Sequence, residues 1–293
     1  MPRLPSWIRA DLRTDEDYGR VDALLRRESL HTVCVSARCP NRPECWNRGT
    51  ATMMILGEVC TRGCGFCAVT PGRPTPPEDD EPERVARAAA EMGLKHLVVT
   101  SVTRDDLADG GAGAFARTIQ AVRNLSPRMK IEVLTPDFLG SEKALAAVLA
   151  ARPDVFGHNL ETVRRLTPAV RAAASYDRSL AVLRFAAAWT PPVVVKSGLM
   201  LGLGETAEEV LGSLDDLWKA GCRWLTLGQY LAPTARHVPV ERFVTPEEFA
   251  QYADRARRMG FLQVAAGPLV RSSYRAAEGL AAMERETATC PAC

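Results

Sequence analysis

Short apolar runs recur along the chain and alternate with longer stretches in which apolar and charged residues are mixed. The runs are rich in β-branched residues and carry few charges, which is typical of strands buried on both faces of a sheet. The stretches between them, such as residues 82–92 and 206–211, have the pattern of helices. The strands are predicted at residues 53–56, 96–100, 130–134, 154–156, 192–196, 224–227 and 262–265. Strands that alternate with helices predict a parallel α/β sheet.

The number of these strand–helix units limits the architecture. Six or seven units are too few to close an eight-unit barrel. No domain boundary is visible within residues 50–270, so we expect one central domain, preceded by an extension of residues 1–49 and followed by a segment of residues 271–293. In parallel α/β folds the chemistry lies in the loops at the carboxyl ends of the strands, and we look for the site there.

Composition and charge exclude several classes of protein. Of the 293 residues, 46% are hydrophobic and 25% are charged, and the formal net charge is +2. This near neutrality does not indicate a nucleic-acid-binding or anionic-membrane surface. No apolar run approaches a membrane span, and the N-terminus has no apolar signal core. We therefore expect a cytoplasmic protein, in which the nine cysteines are metal ligands or redox groups rather than disulfides.

One group of three cysteines follows the first predicted strand with the spacing C-x3-C-x2-C: Cys60, Cys64 and Cys67. A [4Fe–4S] cubane has one external coordination point on each iron, and thiolate is its usual protein ligand. Three thiolates therefore leave one iron open to a small molecule. Gly63 and Gly65 suit a loop that wraps closely around an inorganic core. A zinc loop is the alternative, although zinc knuckles favour paired C-x2-C units.

A second triad, Cys34, Cys39 and Cys45, has the spacing C-x4-C-x5-C. Pro40 and Pro43 argue against a helix through the group, so we expect a turn-rich loop. Here too a cubane would lack one protein ligand, and zinc is the alternative. Two such triads in close succession argue against coincidence.

Both triads resemble known signatures. The C-x3-C-x2-C group, with Phe66 before its last cysteine, resembles the signature of the radical S-adenosylmethionine (radical SAM) superfamily. The earlier C-x4-C-x5-C group narrows the resemblance to the lipoyl synthase family. Gly157 is a small departure, because family sequences usually have Asn there. The surrounding segments that agree with the family are residues 36–41, 44–46, 49–57 and 66–69.

The resemblance implies a partial (β/α)6 TIM-like barrel whose N-terminal and C-terminal extensions complete an auxiliary Fe–S site. It implies two [4Fe–4S] clusters and S-adenosyl-L-methionine as cofactors. The cluster on Cys60, Cys64 and Cys67 would generate a radical, and the cluster on Cys34, Cys39 and Cys45 would supply sulfur. A serine from an R-S-S-Y segment would be the fourth ligand of the second cluster. By its position in that motif we choose Ser273, with Ser272 as the second choice.

The implied reaction is that of a sulfurtransferase of lipoate biosynthesis. Radicals abstract hydrogen, and two sulfur atoms are inserted at C6 and C8 of a protein-bound octanoyl chain. The implied partners are an octanoylated lipoyl-carrier protein and an electron donor such as ferredoxin or flavodoxin, with no nucleic acid and no membrane. The carrier would be a glycine cleavage H protein or the lipoyl domain of a 2-oxoacid dehydrogenase.

The resemblance also indicates which residues contact S-adenosylmethionine. Thr100, Ser101 and Asp105 lie in the segment expected near its amino group, while Asn159 and Glu161 would hydrogen-bond a ribose or amino group. Lys196 opens a Gly-rich segment that lines the site in the family. Without the resemblance, an aspartate such as Asp105 is better explained as a helix cap or surface charge, and the Gly-rich loop, which lacks a Walker lysine, is a weak phosphate-binding signal.

Two other functions deserve comparison. A methylthiotransferase acting on RNA would be expected to carry its auxiliary cysteines in a separate domain and to have a basic RNA-binding module, and neither is visible. A non-enzymatic electron-transfer or zinc protein would need a fourth cysteine or histidine for each triad, and Cys290 and Cys293 are the only spare pair. We expect these two in a mobile tail without catalytic duty, and Cys222 as a small buried apolar residue.

Overall fold

The computed structural model describes residues 3–289 and contains one eight-stranded sheet with helices around it. Seven of its strands run parallel and follow the chain order from one edge of the sheet to the other, and an antiparallel strand extends the first edge. Each predicted strand is present. The sheet is therefore the expected partial barrel of successive strand–helix units, with seven parallel strands.

The strands of the sheet, in spatial order, are β1 (His31–Thr32), β2 (Thr52–Ile55), β5 (His96–Ser101), β6 (Lys130–Leu134), β7 (Val155–Gly157), β8 (Val194–Leu201), β9 (Trp224–Gln229) and β10 (Gln263–Gly267). A two-stranded parallel sheet is formed by β3 (Val59–Cys60) and β4 (Thr70–Pro71). The helices are α1 (Glu16–Arg27), α2 (Val33–Ser36), α3 (Arg42–Asn47), α4 (Glu81–Glu91), α5 (Ala112–Leu125), α6 (Glu142–Ala150), α7 (Thr167–Val170), α8 (Tyr176–Ala187), α9 (Ala207–Lys219), α10 (Pro246–Met259) and α11 (Ala276–Thr289), and a 3-10 turn spans Phe138–Gly140.

Helices begin where the sequence supplies a capping side chain. At α9 the Thr206 hydroxyl accepts from the Glu209 N–H, and the Glu209 carboxylate accepts from the Thr206 N–H. The same reciprocal box, from Thr245 and Glu248, starts α10. Helix α5 instead begins at Gly111, whose φ of 90° and close approach to the Leu56 side chain exclude a Cβ atom.

The apolar runs became strands because both faces of the sheet are covered. Residues of β2, β5 and β9 are almost all buried, which explains why these strands lack alternating polar positions. One continuous core joins the helices to the outer face of the sheet, and a smaller group of Val155, Trp224, Leu280 and Met283 packs α11 against the strands.

The two ends of the chain pack on the sheet. The N-terminal extension pairs with its edge through β1, where His31 lies opposite Met54. Helix α11 is tied to β6 by an ion pair between Lys130 and Glu284. We expected a mobile tail from residue 284 onward, but α11 continues to Thr289; Cys290 and Cys293 lie outside the described residues. Among residues 3–289, none of the helices is long and apolar enough to cross a membrane.

The loop predicted for the second triad is partly helical. Cys34 lies on α2 and Cys45 on α3, with Cys39 between the two helices. Pro43 occupies the first turn of α3, where a missing N–H costs no intrahelical hydrogen bond. The prediction that no helix runs through the whole group is confirmed, but the expectation of a loop was wrong for its ends.

Candidate active site

A cavity of about 720 Å³ lies at the carboxyl ends of the parallel strands, and the walls include residues from both cysteine triads. The ends of β5, β6, β8 and β9 form its inner surface, as expected for a parallel α/β fold. The site residues on its walls are Cys34, Cys39, Cys45, Cys60, Cys64, Cys67, Ser272 and Ser273. Parts of the chain that are more than 200 residues apart therefore face one space.

The loop of Cys60, Cys64 and Cys67 is fixed by backbone hydrogen bonds. The Thr61 N–H donates to the Thr103 carbonyl at 3.0 Å, which ties the loop to the end of β5. The Cys60 sulfur accepts from the N–H groups of Arg62 (3.4 Å) and Thr103 (3.3 Å). Hydrogen bonds to the sulfurs are one of the factors that set the potential of an Fe–S cluster.

Arg62, between the first two cysteines of this loop, is held by two carboxylates. Its guanidinium donates to Asp105 at 2.6 and 2.8 Å and to Asp137 at 2.8 Å. The Asp137 side chain is fully buried and also accepts from Arg178 at 3.1 Å. Burial alone would raise the pKa of Asp137, but the hydrogen bonds and charge of Arg62 lower it to about 2. The ionic chain clamps the loop onto the barrel.

The far end of the same loop is held by a histidine. The backbone of Gly65 donates to the Val170 carbonyl and accepts from the Val238 N–H, both at 2.9 Å. The His237 Nε2 atom lies 3.0 Å from the Cys67 carbonyl oxygen, and its Nδ1 atom lies 2.8 Å from the Thr234 hydroxyl. The contact of His237 with the cluster loop is therefore structural.

The other triad lies across the cavity beside the start of β2. Burial raises the pKa of Cys34 and raises that of Cys45 to about 12. On the opposite side, burial raises the pKa of Cys67 to about 11 and also raises that of Cys64. These thiols stay protonated unless a positive centre stabilises their thiolates, which is the condition under which cysteine binds metal.

The two candidate serines have different partners. The Ser273 hydroxyl accepts from the Thr52 hydroxyl at 2.8 Å, and the backbone of Thr52 lies close to the Cys34 thiol. The Ser272 hydroxyl accepts from the Asn159 amide at 2.6 Å. Ser273 therefore faces the triad of Cys34, Cys39 and Cys45, and Ser272 faces the other wall.

The serine segment is packed directly on the loops of this triad. Asn41 donates from its amide to the Leu269 carbonyl at 2.6 Å, and the Tyr274 hydroxyl donates to Glu44 at 2.9 Å. Arg275 adds an ion pair to Glu44 at 3.1 Å. The C-terminal segment and the N-terminal extension thus meet over one end of the cavity.

The residues predicted to contact S-adenosylmethionine divide into two groups. Thr100, Ser101, Asn159 and Glu161 line the cavity. The Asp105 carboxylate is paired with Arg62. The Lys196 ammonium is buried against Glu132 of β6 at 2.7 Å and over the ring of Trp224. No bound ligand tests these assignments, which stay predictions, but the last two side chains already have ionic partners.

One buried chain of hydrogen bonds was not foreseen from the sequence. Arg171, on the cavity wall, donates to the Ser179 hydroxyl at 2.8 Å, and that hydroxyl lies 2.9 Å from His158 Nε2. The Nδ1–H of His158 faces the Thr135 carbonyl at 2.9 Å, so Nε2 accepts from the serine. Burial and the charge of Arg171 lower the pKa of His158 to about 4, which keeps the ring neutral. The sequence feature that could have indicated this chain of hydrogen bonds is His158, directly after β7.

The donor set fits two multinuclear clusters better than one ion. All six triad cysteines are free thiols that face the cavity. Within the part of the chain that the structure describes, no three His, Cys, Asp or Glu side chains are grouped closely enough to hold a single metal ion. Thiolates with an oxygen ligand are the donors that [4Fe–4S] clusters accept, and a cubane separates its ligands widely because each binds a different iron.

Comparison with known proteins gives one consistent family. The profile of the radical SAM superfamily matches residues 54–217. A lipoyl synthase from Symbiobacterium thermophilum is 55% identical over 94% of this chain and 86% of its own. Lipoyl synthases from Rubrobacter xylanophilus and Thermus thermophilus are each 54% identical, over 94% and 93% of this chain and 85% of their own.

Solved structures agree on the fold. The chain superimposes on methylornithine synthase with a TM-score of 0.54 and 16% identity, over 83% of this chain and 73% of the other. Streptococcus suis SuiB bound to S-adenosylmethionine gives a TM-score of 0.56 and 13% identity, over 77% and 54%. These similarities confirm the partial barrel.

Proposed function

The chain belongs to the lipoyl synthase family of the radical SAM superfamily, and from this membership we propose that its two cysteine triads hold two [4Fe–4S] clusters in one cavity. The family activity is sulfur insertion at C6 and C8 of a protein-bound octanoyl chain. It needs a lipoyl-carrier protein, a reductant, S-adenosyl-L-methionine and two clusters.

The observation that carries the proposal is that both triads and Ser273 line the same cavity. A radical formed at one end must reach an alkyl chain that also reaches the sulfur source, so both ends must open onto one space. When bound, the cluster of Cys60, Cys64 and Cys67 supplies the radical from S-adenosylmethionine, and the cluster of Cys34, Cys39 and Cys45 supplies sulfur. This difficult chemistry belongs to the cofactors.

The residues of this chain position those groups and isolate them. Arg62, through Asp105 and Asp137, fixes the loop of the first triad, and His237 holds its last carbonyl. Asn159 and Glu161 offer polar atoms on the wall between the triads for the ribose or amino group of S-adenosylmethionine, with Thr100 and Ser101 nearby. Thr100 and Asn159 are themselves buried, which limits the access of water to this part of the wall.

We assign the fourth ligand of the second triad to Ser273. Its hydroxyl lies next to Thr52, which contacts Cys34, whereas the Ser272 hydroxyl is bound by Asn159 on the opposite wall. A serine oxygen is a harder ligand than thiolate and matches the iron of a sulfide cluster less well. The iron that this serine would bind is therefore the one that the protein would hold most weakly.

The proposal also specifies the carrier protein, the reductant and the compartment. The carrier is a glycine cleavage H protein or the lipoyl domain of a 2-oxoacid dehydrogenase, the reductant is a ferredoxin or flavodoxin, and the reaction takes place in the cytoplasm. The extension of residues 1–49 contributes the auxiliary cysteines, residues 50–270 the radical barrel, and residues 271–293 the serine ligand.

Counting iron tests the two-cluster assignment. Anaerobically reconstituted protein should hold about eight iron atoms per chain, and a Cys34/Cys39/Cys45→Ala variant about four, because each cubane contains four. Mössbauer spectra should show cubane iron in both proteins. A wild-type protein with only one cubane, or with zinc at Cys34, Cys39 and Cys45, would contradict the assignment of a sulfur source.

Replacing each serine separately by alanine tests which of the two is the ligand. Ser273→Ala should still cleave S-adenosylmethionine but should give little dithiolane product, because the auxiliary site has lost its oxygen ligand. Ser272→Ala is the matched control and should leave the Mössbauer spectrum of the auxiliary iron unchanged. Both variants are assayed for 5′-deoxyadenosine and for lipoyl product on an octanoylated peptide. Normal lipoyl yield from Ser273→Ala would refute the assignment.

A further inference from the structure

Arg271 is a cavity residue whose positive charge lacks a carboxylate partner. It precedes the two serines of the C-terminal segment and is half-buried in the cavity wall. Within the described protein, its guanidinium donates one hydrogen bond, from Nη1 to the Val270 carbonyl at 2.7 Å. No described carboxylate side chain forms an ion pair with it. Burial lowers its pKa, which reflects the cost of keeping this cation away from water.

Most buried arginines of the described residues have a carboxylate partner. Arg62, Arg84 and Arg104 are buried, and each pairs with at least one carboxylate. A buried cation is costly unless it is paired and hydrogen-bonded. Arg171 likewise forms no ion pair within the described structure, but the charges of Glu161 and Asp137 act on it, and it lies on the cavity wall with Cys64.

The position of Arg271 is fixed by the backbone beneath it. Gly228, in β9, lies so close to this segment that a Cβ atom would fall 2.1 Å from the Val270 oxygen and 3.3 Å from Arg271 Nη1. The segment therefore rests directly on the strand. Asn41, two residues after Cys39 in the loop of the auxiliary triad, donates from its amide to the Leu269 carbonyl at 2.6 Å, so the segment that carries Arg271 is packed against this loop.

We propose that Arg271 is the counter-cation of the auxiliary site, a positioning residue that holds its guanidinium beside the cluster of Cys34, Cys39 and Cys45. This inference rests on the proposed function, since it needs a cluster at that triad. A cubane with anionic ligands is negatively charged, and the guanidinium would supply the opposite charge from the cavity wall.

Two measurable consequences follow from the charge. A cation near a cluster stabilises its more negative, reduced form, so Arg271 raises the reduction potential of the auxiliary cluster. The same attraction slows the loss of iron to a chelator. A guanidinium that acted only by packing would affect neither property through its charge, and lysine would not replace it.

The experiment uses a full-length Cys60/Cys64/Cys67→Ala background, reconstituted anaerobically, so that only the auxiliary cluster contributes. The reduction potential is measured by a redox titration followed by EPR, and iron release is timed with a ferrous chelator. Three variants are compared: Arg271→Gln, which removes the charge; Arg271→Lys, which keeps it; and Arg257→Gln, the control. Arg257 lies on α10, is exposed and pairs with Asp254.

Arg271→Gln should shift the reduced-to-oxidised ratio about tenfold toward the oxidised form, a fall of about 59 mV for one electron, and release iron faster. Arg271→Lys and Arg257→Gln should stay close to the parent. An unchanged potential in Arg271→Gln, or equal shifts in the glutamine and lysine variants, would overturn the proposal. If Arg271→Gln holds no cluster, retention by Arg271→Lys supports the proposal and loss by both refutes it.

The failure of the proposed function has a different signature. If the parent background binds no iron at Cys34, Cys39 and Cys45, the auxiliary site itself is wrong and this inference is overturned with it. If the parent holds a cubane whose reduction potential and iron release are the same in Arg271→Gln, only the role of Arg271 is refuted.

Discussion

Asp137→Asn removes the carboxylate that anchors the first cluster loop to the barrel. In the structure Asp137 accepts from Arg62 at 2.8 Å, from Arg178 at 3.1 Å and from the Leu139 N–H at 3.1 Å, and no part of its side chain is exposed. Asparagine has nearly the same shape and keeps one oxygen acceptor. The substitution therefore tests the charge of the anchor with little change in packing.

The magnitude follows from the pKa. The environment of Asp137 lowers its pKa from an ordinary value of 3.8 to about 2. Because each pKa unit is worth about 1.36 kcal/mol, the folded state gains roughly 2 kcal/mol from the ionised carboxylate. A depressed pKa stabilises the folded state above the unfolded value and loses that effect as the pH falls toward 2. Between pH 6 and 8 the gain should therefore be complete and constant.

Urea unfolding under anaerobic conditions, followed by tryptophan fluorescence, measures this effect. Asp137→Asn should reduce the free energy of unfolding by roughly 2–3 kcal/mol at pH 7, and by the same amount at pH 6 and 8. Asp177→Asn is the control, because the Asp177 carboxylate is exposed and pairs with Arg164 only at the surface. It should cost less than about 1 kcal/mol.

The same variant should impair chemistry at the loop. With Asp137 neutral, Arg62 keeps only Asp105 as an anionic partner, and the loop between Cys60 and Cys64 is held less firmly. The rate of 5′-deoxyadenosine formation should fall while the iron content stays near wild type. A loss of stability below about 0.5 kcal/mol, or a loss that changes between pH 6 and 8, would refute the account of the anchor.

Two further variants test the barrel itself. Gly228→Ala places a Cβ atom against the Val270 carbonyl, so we expect the free energy of unfolding, measured in urea, to fall by about 1–3 kcal/mol. We also expect iron analysis to show less iron at the auxiliary triad. Unchanged iron would contradict the close packing of this segment. Lys196→Met leaves the fully buried Glu132 with only His96 beside it, and should cost about 3–5 kcal/mol in the same unfolding assay, whereas a neutral effect would mean that Glu132 binds a proton instead.

Local pattern was enough to predict the strands, because a strand buried on both faces must be apolar along its length whatever its neighbours are. The β-branched run of residues 96–100 became β5, and the charged Thr206 region began α9 through its own capping box. The spacing of the two cysteine triads likewise indicated the chemistry, since each triad lies within one short segment. Short helices around Cys34 and Cys45 were missed, because packing decided them rather than propensity.

Only the tertiary structure decided which side chains are available to the site. Asp105, Lys196 and Asn159 were all predicted to contact S-adenosylmethionine. In the structure, Asp105 and Lys196 have ion-pair partners from other parts of the chain, and such contacts leave no local signal in the sequence. Likewise, the sequence assigned Arg271 no role beyond its place in the R-S-S-Y segment. The fold placed it near Cys39, without a carboxylate partner among the described residues. Sequence therefore determined the elements and the ligand types, whereas long-range packing determined burial, charge pairing and the orientation of each serine, because these depend on residues that are distant along the chain.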